Sequence, residues 1–176
     1  IVEQKSFENE DRNIFYVPST LEFLQDLAVL HRKHLNIPIV ALTGSNGKTT
    51  TKDMTGKLLS LQYKVKKTEG NFNNEIGLPL TVLQLDEETE MAVLEMGMSG
   101  KGEIEFLTKL ARPDAVIITN IGESHLLDLG SRDGIADAKM EIIHGLNDDG
   151  LLVYFGDEPL LTERVKELNG NIQVQS

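Results

Sequence analysis

The sequence predicts an α/β fold, a mostly parallel sheet with helices on both faces, organised around a phosphate-binding loop. Three observations predict it. Short, continuously apolar runs recur along the chain. Helical stretches fall between them. A glycine-rich turn joins the first strong run to the first helix after it. Strands that are apolar at successive positions, rather than alternating, are buried on both faces, as in parallel sheets. Ligands of such sheets bind beyond the carboxyl ends of the strands, so chemical residues are expected just after the apolar runs.

The elements follow in order. The first 17 residues are polar and end in the apolar run Ile14-Phe15-Tyr16-Val17. Pro18-Ser19-Thr20-Leu21-Glu22 reads as a helix start. Ser19 is the N-cap and Glu22, three residues on, completes a capping box. Leu21, Leu24, Leu27, Ala28 and Leu35 form the apolar stripe of this helix, and Asn36-Ile37-Pro38 ends it. Strand-like runs occupy 39–43, 91–95, 115–119 and 151–155, with a weaker one at 63–67. Helices are expected near 48–61, 103–110, 132–146 and 160–168.

Composition removes several function classes. The net charge is -11, which disfavours wrapping a nucleic-acid backbone; that task needs clustered Lys and Arg. Any polyphosphate site must therefore be local. There is no Cys, hence no disulfide framework and no thiolate metal site. No signal peptide and no long apolar run is present, so a cytoplasmic protein with no membrane span, acting as a monomer, is expected.

The turn after the 39–43 run is Thr43-Gly44-Ser45-Asn46-Gly47-Lys48-Thr49-Thr50. Gly44 and Gly47 let the backbone turn tightly and approach an anion. Successive N–H groups and the following helix N-terminus favour phosphate oxygens. Lys48 is placed to neutralise the β- and γ-phosphates of ATP, and the Thr49 hydroxyl to join a Mg²⁺ shell. The match to the general phosphate-loop pattern is incomplete, because Leu42 stands where the first Gly belongs. The bland alternative is a glycine turn that happens to precede Lys and Thr.

The loop resembles that of the Mur ligases, the amide-forming enzymes of peptidoglycan precursor synthesis. Four further segments resemble the same family: 70–79 (Gly-Asn-Phe-Asn-Asn-Glu-Ile-Gly-Leu-Pro), 94–97 (Leu-Glu-Met-Gly), 119–126 (Thr-Asn-Ile-Gly-Glu-Ser-His-Leu) and 138–142 (Ala-Lys-Met-Glu-Ile). The resemblance runs from about Ile14 to the last residue. It implies three domains in the whole protein: residues 1–36 as the tail of a UDP-sugar-binding domain with a connecting helix, and 37–176 as an ATP-binding domain incomplete at its C-terminal end. It also implies UDP-N-acetylmuramoyl-tripeptide and D-alanyl-D-alanine as substrates, joined through an acyl phosphate. A chain of this extent is expected to bind Mg-ATP and to be inactive alone. The rivals are another Mur ligase, a folylpolyglutamate synthase-like enzyme, or a non-catalytic nucleotide-binding module.

The resemblance also assigns site residues. Glu95, at the end of an apolar strand, is implied to bind Mg²⁺, with a solvated strand-end acid as the alternative. His125 is implied to be a second metal-site residue, the alternative being a structural loop histidine. Asn73, Asn74 and Asn120 are implied to line the nucleotide and metal pocket, with turn formation as the alternative for Asn73 and Asn74. Many relatives carry an Asn-Ala-Asp-Asp-like segment where this chain has Phe155-Gly156-Asp157-Glu158, so base recognition departs from the pattern there. His31, His34 and His144 match no family motif and read as surface residues.

Lys139 stands out on periodicity as well. On the 132–146 helix at about 100° per residue, with Ile135 at zero, Ile142 falls at about -20°, Leu146 at about +20° and Lys139 at about +40°. Lys139 thus lies inside the apolar stripe, while Asp137 and Glu141 point away. An inward ammonium needs a partner or a modification. In several Mur ligases the matching lysine is carbamylated and becomes an oxygen ligand for a second Mg²⁺. The alternatives are a lysine that snorkels to solvent or pairs with Glu95.

Overall fold

The computed structural model describes residues 1–3, 14–168 and 171–176. The polar stretch 4–13 lies outside the described residues. Helix α1 (Thr20–His34) starts where its cap predicts, with Ser19 Oγ accepting from the Glu22 N–H at 3.1 Å. Its inward line is narrower than the predicted stripe. Ala28 is fully buried, but Leu21 and Leu27 remain exposed, because the helix lies against α3 (Gly77–Leu83) and α4 (Glu103–Ala111) instead of sinking into the sheet.

Among the described residues six strands form one parallel sheet: β1 (Ile39–Thr43), β2 (Val65–Lys67), β3 (Met91–Glu95), β4 (Ala115–Ile118), β5 (Leu151–Tyr154) and β6 (Gln173–Gln175). Their spatial order is β2-β3-β1-β4-β5-β6. Strand β1 pairs in parallel with β3 through Val40↔Val93 and with β4 through Ala41↔Val116. Successive residues Ala41 and Leu42 are both fully buried, so β1 is covered on both faces, as its unbroken apolar run requires. From β1 the chain first runs to the sheet edge at β2 and returns with β3 to fill the place between them. It then crosses to the other side with β4. That reversal opens a crevice at the carboxyl ends of β3, β1 and β4.

Helix α2 (Lys48–Leu59) packs over β1, β2 and β3. The predicted 132–146 helix is α-helical only over α6 (Arg132–Met140); Glu141–Gly145 tighten into a 3-10 turn against α4. A second short helix, α5 (Leu126–Leu129), precedes it, and α7 (Pro159–Lys166) follows β5. The sequence reading passed over α3 because Gly77 and Pro79 look like breakers. Pro79 occupies the first turn, where its missing N–H would lack a helical acceptor in any case. It also passed over β6, whose Gln-Val-Gln sequence carries no apolar run.

Among the histidines read as surface residues, His31 is half-buried. One of its ring nitrogens lies 2.7 Å from the Leu85 carbonyl, tying α1 to the segment after α3. His34 and His144 are exposed. Arg32 completes the docking of α1 with bonds to the carbonyls of Ala111 (2.7 Å), Leu35 (2.6 Å) and Arg112 (3.1 Å).

Candidate active site

The phosphate loop leaves β1 at Thr43 and enters α2 at Lys48. Gly44 has φ 151° and Gly47 φ 78°, a left-handed turn that glycine adopts without strain. Space restricts Gly44 further: a Cβ there would lie 1.8 Å from Thr119 Oγ1. Gly47 caps α2, so the helix N-terminus and its free N–H groups open toward the crevice.

The segment after β4 clamps this loop. Asn120 accepts from the Asn46 N–H at 3.0 Å through Oδ1 and donates to the Asn46 carbonyl at 3.1 Å through Nδ2. Its own carbonyl accepts from the Ser45 N–H at 3.1 Å. Thr119 Oγ1 also donates to the Asn46 carbonyl, and Ser45 Oγ accepts from the Gly122 N–H. The side chain of Asn120 is therefore engaged in shaping the loop. The expectation that it lines the pocket misses this task, since periodicity gives no hint of a bond spanning 74 residues.

Glu95 ends β3 and is 3% exposed, so the solvated strand-end alternative does not describe it. Asn73 Nδ2 donates to its Oε1 at 2.9 Å, and Thr49 Oγ1 donates to its Oε2 at 3.1 Å. Gly97 makes this possible, because a Cβ there would press within 3.0 Å of the Asn73 amide. Lys52, one turn beyond Lys48 on α2, is also buried and reaches 3.7 Å from Glu95 Oε2. The sequence reading missed Lys52. Its i+4 spacing from Lys48, on one helix face, was the available signal. Asn74 takes the turn-forming role: its Oδ1 accepts from the N–H groups of Ile76 (3.3 Å) and Gly77 (2.8 Å) and starts α3.

Asn73 and Asn74 border a cleft of about 420 Å³ whose wall also includes Lys48, Glu75, Glu103 and His125. His125 adopts φ 68° at the start of α5, half exposed, 3.7 Å from Asp128. Lys48 itself donates to the Gly44 carbonyl at 2.8 Å. Lys139 is 2% exposed and makes no hydrogen bond or ion pair among the described residues. It does not pair with Glu95, whose cation is Lys52. Burial, with the nearby Lys48 charge, pushes Lys139 down to about 7.

The donor set bears on an Mg²⁺ ion. Thr49 Oγ1 and Glu95 Oε2 place two oxygen atoms side by side, the donor type a hard cation prefers. Among the described residues no three His, Cys, Asp or Glu side chains form a cage. The protein part of such a site is thus partial, which suits Mg²⁺ held jointly with substrate phosphates. Phe155 lies just past β5 and is exposed.

Residues 42–175 match the family model described as the Mur ligase middle domain. The chain belongs to the Mur ligase family. It is 62% identical over 152 residues to the UDP-N-acetylmuramoyl-tripeptide–D-alanyl-D-alanine ligase of Bacillus subtilis, covering 86% of this chain and 33% of that protein. A MurF ligase from Thermotoga maritima in complex with ADP superposes with a TM-score of 0.88 at 36% identity, covering 98% of this chain and 40% of that one. A folylpolyglutamate synthase from Mycobacterium tuberculosis shares the fold, with a TM-score of 0.70 at 18% identity over 88% of this chain and 46% of that one. This Mur ligase chain spans about a third of the length of the curated relative it matches. No helix among the described residues is long and apolar enough to cross a membrane.

Proposed function

We propose that this chain carries the ATP-binding centre of a cytoplasmic, monomeric Mur ligase that adds D-alanyl-D-alanine to UDP-N-acetylmuramoyl-tripeptide. The observation that carries the reading is the meeting of the phosphate loop with Thr49, Glu95 and Asn73 at the carboxyl edge of the sheet. In this reading Thr43–Thr50 wrap the ATP phosphates, with N–H groups of the loop and of α2 directed at their oxygens. Lys48 leaves the Gly44 carbonyl and neutralises charge on the migrating phosphoryl group. Asn120 keeps the loop open to the phosphates by holding Asn46, and Asn74 shapes the neighbouring wall.

Thr49 and Glu95 would hold Mg²⁺, and His125 would approach from the opposite wall of the cleft. Bound there, the metal supplies positive charge between the substrate carboxylate and the γ-phosphate, two anions that otherwise repel. Lys139 is a poor metal ligand as an ammonium. Its lowered proton affinity leaves a large neutral fraction near pH 7, the form that adds CO₂. Its carbamate would offer oxygens to a second Mg²⁺, and intact-mass measurement in bicarbonate tests this. The remaining step follows from the chemistry of the class: ATP phosphorylates the tripeptide carboxylate, and the dipeptide amine attacks the acyl phosphate. No protein nucleophile is required.

The chain alone is expected to bind nucleotide without forming the amide. Calorimetric titration of Mg-ATP into the wild type and into folded Lys48→Ala tests the reading. Binding that weakens at least tenfold in the variant supports it. Equal binding by both proteins removes the phosphate loop from the account.

A further inference from the structure

The reading above uses Lys48 and Lys139 but leaves Lys52 without a task. This lysine is 3% exposed, an uncommon state for a residue with no catalytic assignment. Its Nζ lies 3.7 Å from Glu95 Oε2, too far for a direct hydrogen bond but close enough for strong charge attraction. Asp53 is its other anionic neighbour, at 4.0 Å. That carboxylate is half exposed and already accepts from Lys67 at 2.5 Å. Glu95 is therefore the buried partner of Lys52. The two hydrogen bonds to Glu95, from Thr49 and Asn73, come from neutral groups and orient the carboxylate without cancelling its charge. Lys52 supplies the cancellation.

We propose that Lys52 is the resident counter-charge of Glu95 and makes divalent-cation binding conditional on the nucleotide. The inference rests on the Mg-ATP reading. In the free protein the oxygen pair of Thr49 and Glu95 already faces one buried ammonium, and Lys48 lines the neighbouring cleft. At that oxygen pair a dication arriving alone meets a carboxylate already compensated by a buried ammonium. Glu75 and Glu103 line the cleft beside Lys48, and Glu103 accepts from the Ser99 N–H; neither carboxylate bonds to Thr49 or Glu95. A nucleotide brings the negative charge that the protein lacks, so metal and phosphates enter as one unit. This separates two jobs that a cage of acids would merge: Glu95 is held oriented at all times, yet no metal is retained between turnovers.

The test uses Mn²⁺ as a paramagnetic stand-in for Mg²⁺, followed by electron paramagnetic resonance at pH 8. Wild type is expected to bind Mn²⁺ alone at least tenfold more weakly than in the presence of ADP. Lys52→Met is expected to bind Mn²⁺ alone on the order of tenfold more tightly than wild type, since one ammonium beside the metal is gone. Lys52→Arg keeps the charge and should behave as wild type. Equal Mn²⁺ affinity of Lys52→Met and wild type, both binding ADP with Mn²⁺, overturns the role of Lys52 and leaves the nucleotide reading standing. Failure of wild type to bind ADP with Mn²⁺ overturns both. If circular dichroism shows Lys52→Met unfolded, the wild-type comparison decides: Mn²⁺ bound equally well with and without ADP sinks the proposal.

Discussion

Replacing Lys139 with Met removes a buried charge while keeping the length of the side chain. An ordinary lysine titrates at 10.5, and this one at about 7. At about 1.4 kcal/mol per tenfold change in proton affinity, the gap corresponds to on the order of 5 kcal/mol, an upper figure that relaxation of the site reduces. The sign follows from proton counting. Below pH 7 both folded and unfolded chains hold the proton, and the full penalty of the buried ammonium is present. Between about pH 7 and 10.5 the unfolded chain binds more protons, so wild-type stability rises with pH. Lys139→Met has no such term. It should exceed wild type by several kcal/mol at pH 6, and the difference should shrink steadily by pH 9.5. Urea unfolding at pH 6, 8 and 9.5, in CO₂-free buffer to keep the amine unmodified, measures it. A difference that stays constant across that range would refute the claim that Lys139 is an unpartnered buried amine.

Three further perturbations act on the scaffold. Gly44→Ala should destabilise by about 2–4 kcal/mol and abolish ADP binding, because its Cβ meets Thr119 at 1.8 Å in a left-handed backbone; urea unfolding and calorimetry read the two effects. Asn120→Ala removes two hydrogen bonds to Asn46 and should lower ADP affinity roughly tenfold, with a stability loss of about 1–3 kcal/mol. Arg32→Met leaves the carbonyls of Ala111, Leu35 and Arg112 without their donor. It should cost about 2–4 kcal/mol and raise hydrogen exchange along α1 while sparing β1.

The parallel sheet was legible because burial on both faces writes itself into runs such as Ile39–Thr43 and Met91–Glu95. The inward position of Lys139 was legible from helical period alone, even though the helix tightens after Met140 and the angles assigned to Ile142 and Leu146 lose their meaning. Other features depend on tertiary contacts that no local pattern records. Gln-Val-Gln becomes β6 because β5 offers an edge, and Asn120 becomes a clamp because β4 lies beside β1. The exposed Leu21 and Leu27 show the converse: an apolar stripe predicts a buried face only when the neighbouring layer is wide enough to cover it.

The sheet order also dictates when the site can come into being. Strand β1 is made before its ladder partners β3 and β4, whose paired residues lie some 50 and 75 positions downstream. Ordering so long a loop costs entropy before any pairing rewards it, which makes assembly slow compared with local helix formation. During synthesis the phosphate loop thus emerges well before it can acquire its shape, since Asn46 waits for Asn120. A nascent chain that has not reached Asn120 holds the whole loop sequence but lacks its clamp. Nucleotide added to stalled chains of increasing length should begin to protect them from proteolysis only once that residue has cleared the ribosome.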